Sequence, residues 1–296
     1  MQTLPTSTVL GERQLIRAIP SKHRMTRRLA SVLAIGLLLS LSACATPRLE
    51  GRTEAGLLAT ACGQAYQQAR DAQHAMTAKV PRMMRLFAAA AASRHWIDAA
   101  ATCPQRFDEG TIRAAQAMQL ASALASSVGT SYITWDPPRG GLDAVTSLNA
   151  DIRALQAVVI AEDRAGFAVE FLAARASPHA TLAISDDHKA TASRLFSLAR
   201  ASSDTLTDPR RKIYSLDRLL ANPSSMIDES TGLEVPTMAA VEISCAREEI
   251  AAADSAEFAR TPATRSSLRI LSQLAASRAA RALIFGYPSF DAALFL

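Results

Sequence analysis

The 296-residue chain is 49% hydrophobic and 20% charged, with 5% aromatic residues and 12 glycines, a composition that argues against a sheet-rich fold. Its 32 basic and 27 acidic residues give a net charge of +5 and an isoelectric point near 9.3. That surplus would suit a nucleic-acid partner only if it sits on a retained basic face.

The chain opens with "MQTLPTSTVLGERQLIRAIPSKHR", which has no apolar periodicity. Met25 begins a compact basic region with Arg27 and Arg28, and is read as the true start. The apolar run from Leu29 to Ser40 is too short for a membrane span, which needs roughly 20 residues, and Ser42 and Ala43 form a small-residue cleavage site. Leu41-Ser42-Ala43-Cys44 resembles the lipobox of bacterial lipoproteins. That resemblance implies cleavage before Cys44, diacylglycerol (and with it palmitate) on its thiol, and a protein held on the outer side of the cell membrane by lipid. The alternative is an ordinary signal whose cleavage site happens to contain a cysteine. Ala45 follows and carries no charge.

Removing residues 1–43 from 296 leaves 253, room for one large or two modest domains. The segment takes six bases (Arg13, Arg17, Lys22, Arg24, Arg27, Arg28) and one acid (Glu12) with it, leaving 26 of each. The basic surplus therefore belongs to the signal, and no nucleic-acid partner is expected.

Long tracts of alanine, leucine, arginine, glutamate and glutamine predict an all-α protein. Three helices are expected in a first module at 44–128: residues 52–80 before Pro81, 82–103 before Pro104, and 109–127 before Gly129. The stretch "VGTSYITWDPPRGG" cannot continue a helix through Pro137, Pro138, Gly140 and Gly141, so 129–150 reads as a linker. Four more helices follow within 151–296, at about 151–176, 185–202, 237–260 and 266–285. An irregular connection separates the second from the third, with a short helix around 216–220. Four comparable helices with one long crossover suggest a bundle.

"ALQAVVIAEDRAGFAVEFLAAR", "DDHKATASRLFSL", the Tyr-Ser-Leu crossover at Tyr214, "MAAVEISCAREEI" and the closing "FGYPSF" together resemble a family of ferritin-like domains in lipoproteins of high-GC Gram-positive bacteria. The likeness covers roughly half the chain. It implies a ferritin-like four-helix bundle preceded by a smaller helical module.

Cysteine parity in an oxidising compartment points to a Cys62–Cys103 disulfide, with Cys44 lipidated and Cys245 a core thiol of the third bundle helix. Three separately buried thiols are the alternative. Gly-rich phosphate loops, Gly-x-Ser-x-Gly elbows and His-Glu-x-x-His pairs are absent from the sequence. His23 leaves with the signal. Asp71 and His74 are spaced to share a metal, yet without further ligands read as a solvated face, and His95 beside Trp96 reads as packing.

A ferritin-like di-metal centre takes glutamates from two helices and a Glu-x-x-His from each of the others. No glutamate here has a histidine three residues later, and no cofactor is expected. Three weak ligand candidates do lie on inward stripes: Glu162 with Leu155, Val158 and Val159; His188 with Ile184 and Leu195; Glu242 with Met238 and Cys245. The fourth helix offers Arg278 on its Leu268, Leu271, Ala275 stripe instead of a ligand. Arg278, aided by His188, is expected to supply the positive charge that metal supplies elsewhere. The competing expectation has Glu162 reaching solvent at a loose bundle face.

Two functions from different classes fit these features. One is a non-catalytic helical module, tethered to the membrane, that binds or supports another envelope protein. The other is a metal-binding protein or metal-dependent oxidoreductase of ferritin-like kind.

Overall fold

The structure, a computed structural model, describes residues 60–131, 142–203, 205–256 and 261–295. The signal-like segment, Cys44, and 132–141 of the expected linker lie outside them. Residues Glu54–Leu296 cluster as one compact unit, and the described part is mostly helical.

Side-chain caps start several helices where the sequence offers a free hydroxyl or carboxylate. Thr60 caps α1 (Ala61–Thr77) by accepting from the Gly63 amide at 2.9 Å. Pro81 leads into α2 (Arg82–Thr102), whose end turns through a single 3-10 turn, Pro104–Arg106, into α3 (Phe107–Ser127). Alanine-rich faces let α2 and α3 approach closely. A Cβ added at Gly110 would lie 2.8 Å from Ala100 Cβ and from the Trp96 carbonyl oxygen, so only glycine fits that crossing.

Asp151 caps α4 (Ile152–Ala174), and Thr181 caps α5 (Leu182–Ala201). The connection that follows was expected to hold one short helix. It contains α6 (Asp217–Ala221) and also a small antiparallel hairpin, β1 (Ser225–Ile227) with β2 (Glu234–Pro236), in which Met226 faces Val235. Strands of three residues are too short to leave a two-residue alternation in the sequence.

Pro236 leads directly into α7 (Thr237–Asp254). The last long helix, α8 (Pro262–Ile284), begins four residues earlier than its apolar stripe suggested, because Thr261 caps the Thr264 amide and Pro262 takes the first helical position. A terminal turn, α9 (Asp291–Leu294), is bound to α3 by Arg113, which donates to both Asp291 oxygens at 2.7 and 2.8 Å.

Helix α4 packs on α5 and α7, α7 packs on α8, and α8 also packs on α2 and α3. One continuous apolar core, including Trp96, Phe107, Leu155, Leu195, Ile243 and Leu274, runs through both sets of helices. A buried hydrogen bond of 2.9 Å between Thr111 and Ser272 joins α3 to α8 within it. Among the described residues no helix is long and apolar enough to cross a membrane.

Candidate functional site

Among the apolar and small polar residues buried by α4, α5, α7 and α8, charged side chains from all four helices converge in one cluster. Glu162 comes from α4, His188 from α5, Glu242 and Glu249 from α7, and Arg278 from α8; all five are essentially inaccessible to solvent. Asp187 and Arg281 close the cluster at its rim. Glu162 is fully buried, which removes the expectation that it reaches solvent.

Arg278 is the hub. Its Nε donates to Glu162 Oε1 at 2.9 Å and its Nη2 to Glu162 Oε2 at 3.1 Å. Its Nη1 donates to Asp187 Oδ2 at 2.5 Å, and Nη2 also donates to Thr191 Oγ1 at 3.2 Å. Arg281, three residues on and so on the same face of α8, donates to Asp187 Oδ2 at 2.9 Å and to Glu242 Oε1 at 3.2 Å.

His188 lies between two carboxylates. Its Nδ1 is hydrogen-bonded to Glu162 Oε2, and its Nε2 lies 3.3 Å from Glu242 Oε1. The close approach of α5 to α4 that permits this depends on Gly166. A Cβ there would meet Lys189 Cγ at 2.9 Å, His188 Cβ at 3.1 Å and the Ser185 carbonyl at 3.1 Å. Ser185 adds a 2.8 Å hydrogen bond to the Gly166 carbonyl.

Burial alone would push every carboxylate in this cluster toward its neutral form. At Glu242 the charges of Arg281 and His188 outweigh burial and hold the carboxyl down at about 2. At Glu162, burial is likewise outweighed by Arg278 and His188, and the group stays below its ordinary value. Burial and the nearby Arg278 charge lower the pKa of His188, yet Glu242 and Glu162 together lift it above the ordinary 6.5.

Glu249 has the opposite fate. Burial first, then the Glu162 charge, push its pKa well above the usual carboxylate range. Neither of its oxygens has a hydrogen-bond partner, and a carboxyl buried beside the Glu162 charge without a donor favours its protonated form. With Glu249 protonated, the carboxylates of Glu162, Asp187 and Glu242 face Arg278, Arg281 and the His188 imidazole, and the buried charge balances when that ring is protonated.

Glu162, His188 and Cys245 place one possible ligand atom each within 4.8 Å of one another, the grouping closest to a metal site among the described residues. The donors do not fit a cation. Both Glu162 oxygens already accept from Arg278, each His188 nitrogen faces a carboxylate, and burial above all raises the Cys245 thiol well above its ordinary value. A metal there would also sit beside a guanidinium. Glu242, the third ligand candidate from the sequence, lies outside that group; Arg281 and His188 occupy its Oε1, and its Oε2 is buried without a hydrogen-bond partner.

A groove of about 270 Å³ between α4, α7 and the hairpin reaches Cys245, but Ala161, Ala165 and Ser244 form its floor and none of the cluster's charged groups lines it. No family model, curated protein or solved structure matches the chain.

The other residues singled out in the sequence lie elsewhere. Cys62 and Cys103 form a disulfide that ties the start of α1 to the end of α2, while Cys245 is buried as a free thiol. Asp71 and His74 are exposed on α1, where Asp71 accepts from Gln67 instead of sharing a ligand with His74. Trp96 is buried with its ring edge-on to Tyr66.

Glu249, Arg281 and Asp187 were not among the expected residues. Glu249 was within reach, since it follows Glu242 by seven residues on the same helical face. A second polar knot was also unexpected: Arg247 donates to Asp228 at 3.0 Å and to the Tyr287 hydroxyl at 2.8 Å, binding the hairpin to the C-terminal segment.

Proposed function

We propose that the chain is an exported, lipid-anchored helical module of the cell envelope that binds or supports another envelope protein and performs no metal-dependent chemistry. In this reading α4, α5, α7 and α8 are a ferritin-like four-helix bundle, and α1 to α3 are the smaller module before it. The carrying observation is Arg278 at the centre of the cluster. A guanidinium with both Glu162 oxygens on it neutralises the buried carboxylates in place of a divalent ion.

The anchoring half of the reading rests on the Leu29–Ser40 run and on Leu41-Ser42-Ala43-Cys44. Two acyl chains give stable attachment where one is marginal. Replacing Cys44 by Ala should release the protein from membranes or leave it unprocessed, and a Cys44→Ala form that fractionates with membranes at the wild-type mature mass refutes it.

The metal-dependent alternative draws on the proximity of Glu162, His188 and Cys245. Loading the full-length protein with iron, manganese or zinc separates the two. Substoichiometric metal supports the salt-bridged core. Stoichiometric metal that is lost on Glu162→Ala or His188→Ala overturns it.

A further inference from the structure

The junction of α1 and α2 carries the densest group of exposed large apolar side chains among the described residues. Val80 is 39% exposed, Met83 44%, Met84 59% and Phe87 67%. Met83, Met84 and Phe87 occupy the first two turns of α2 on the face opposite Leu86 and Ala89, which are buried in the core. Folding therefore makes no use of this face, and an exposed apolar group of this kind marks an interaction surface.

Its charge surroundings identify the partner. Residues 72–97 contain Lys79, Arg82, Arg85 and Arg94 and no aspartate or glutamate. Arg85 is turned inward and donates to the Met76 carbonyl at 3.0 Å, fixing the elbow. Lys79, Arg82 and Arg94 are exposed beside the apolar residues. In a mature chain with equal numbers of acids and bases, this is a local cationic surplus around an apolar tip.

We infer that the α1–α2 elbow, through Val80, Met83, Met84 and Phe87 with Lys79, Arg82 and Arg94, docks on an anionic lipid surface. Phenylalanine and the flexible methionines enter the boundary between headgroups and acyl chains. The cations meet the lipid phosphates, each contributing about a five-fold gain in affinity near an anionic surface. The inference rests on the lipid-anchored reading for its geometry. The 16 residue-to-residue steps from Cys44 to Thr60 reach at most about 55 Å, while α1 spans about 25 Å for its 17 residues. A lipid on Cys44 thus leaves enough chain for the elbow to lie on the same bilayer, which orients the module as well as tethering it.

The test uses the full chain carrying Phe87→Trp, with the wild-type protein as the background for the native tryptophans. Vesicles of phosphatidylglycerol with brominated acyl chains should shift the introduced indole's emission to the blue and quench it. Phosphatidylcholine vesicles should do so several-fold less, and Lys79→Gln with Arg82→Gln should weaken binding at least ten-fold. Flotation with phosphatidylglycerol vesicles without quenching of the introduced indole overturns the inference and leaves the anchor intact. Absence of both flotation and quenching also overturns it. A blue shift that grows with protein concentration in the absence of vesicles assigns the face to a second copy of the chain instead. Quenching that persists in a Cys44→Ala background supports the elbow independently of the anchor, so the two readings fail separately.

Discussion

Arg278 and Glu162, 116 residues apart in the chain, meet through hydrogen bonds of 2.9 and 3.1 Å with both side chains fully buried. Such a pair gives little net stability against a well-packed apolar pair, but breaking one side leaves a buried charge uncompensated. Arg278→Met should therefore destabilise the protein by about 3–5 kcal/mol. Adding Glu162→Gln to Arg278→Met should recover a large part of that loss, because the orphaned charge disappears. Denaturant unfolding of the two single variants and the double variant measures this coupling, and strict additivity would show that the pair is not a unit.

The same cluster sets opposite pH dependences. Glu242 falls from 4.5 to about 2 on folding, so its stabilisation is complete above pH 4.5 and is lost as pH drops toward 2, a contribution of roughly 3 kcal/mol. Glu249 is raised: its protonated form favours folding fully below 4.5, and that contribution fades as pH rises toward the folded value. In that window the native state holds one more proton than the unfolded chain, which costs about 1.4 kcal/mol per pH unit. Glu249→Gln should flatten the stability profile above pH 4.5 and raise the unfolding midpoint at pH 8 relative to wild type. Thermal melts between pH 4 and 9 would show it, and parallel profiles for the two proteins would contradict a protonated Glu249.

Gly166 controls how near α5 comes to α4. Any Cβ there sits 2.9 to 3.1 Å from Lys189, His188 and Ser185. The Lys189 methylene can swing away, but the Ser185 carbonyl belongs to a helix backbone and cannot. Gly166→Ala should cost about 1–3 kcal/mol by overpacking, in spite of alanine's better helix propensity, and should weaken the His188 contact with Glu162. The shift of the His188 imidazole titration by NMR toward its ordinary value checks the second effect.

The helical class was legible because an alanine-rich sequence with few aromatics leaves few other ways to build a core. Inward stripes put Glu162, His188, Glu242 and Arg278 at comparable depths, and these four side chains do share one cluster. Asp187 escaped notice because it adjoins His188, and neighbouring residues on a helix point about 100° apart; it joins from the rim, where the long Arg278 side chain reaches it across from α8. Arg281 lies three residues beyond Arg278 on the same face of α8, past the end of the Leu268–Leu271–Ala275 stripe as read from the sequence. The Asp228, Arg247 and Tyr287 knot depends on a hairpin whose strands are too short to announce themselves, so no periodicity could have paired it.

Cys62 and Cys103 close a loop with a sequence separation of 41. Chain-entropy reasoning gives a cross-link of that span about 4 kcal/mol of stabilisation, mainly by restricting the unfolded chain. Reduction, or Cys62→Ser with Cys103→Ser, should lower the unfolding midpoint clearly. The loss should appear mostly in α1, which packs along α2 and is tied to it at its two ends by this bond and by Arg85 on the Met76 carbonyl. Amide hydrogen exchange would locate it, with α1 exchanging faster than α7 or α8. Equal acceleration throughout would mean that α1 unfolds only with the rest.

Ala176, next after the Arg175 C-cap of α4, has φ of +52°, the left-handed conformation that is usually given to glycine at this position. The turn it makes is a complete one: the Ser177 amide donates to the Leu172 carbonyl at 3.0 Å and the Ala176 amide to the Ala173 carbonyl at 3.0 Å. An alanine Cβ crowds the following carbonyl in that region at a cost of about 1 kcal/mol, while glycine in an unfolded chain has more freedom to lose. The steric term is the larger of the two here, since the capping geometry is fixed by both hydrogen bonds. Ala176→Gly should accordingly stabilise the protein by up to about 1 kcal/mol, a rise of roughly 2–4 °C in Tm for a domain of this size. His179, at φ +65° in the same loop, is expected to respond the other way. Its ring stacks on Phe285 with centroids 4.8 Å apart, so His179→Gly relieves the backbone but removes a packed aromatic pair, leaving Tm unchanged or lower. If both glycine variants raise Tm equally, the stack contributes nothing and backbone strain alone governs the loop.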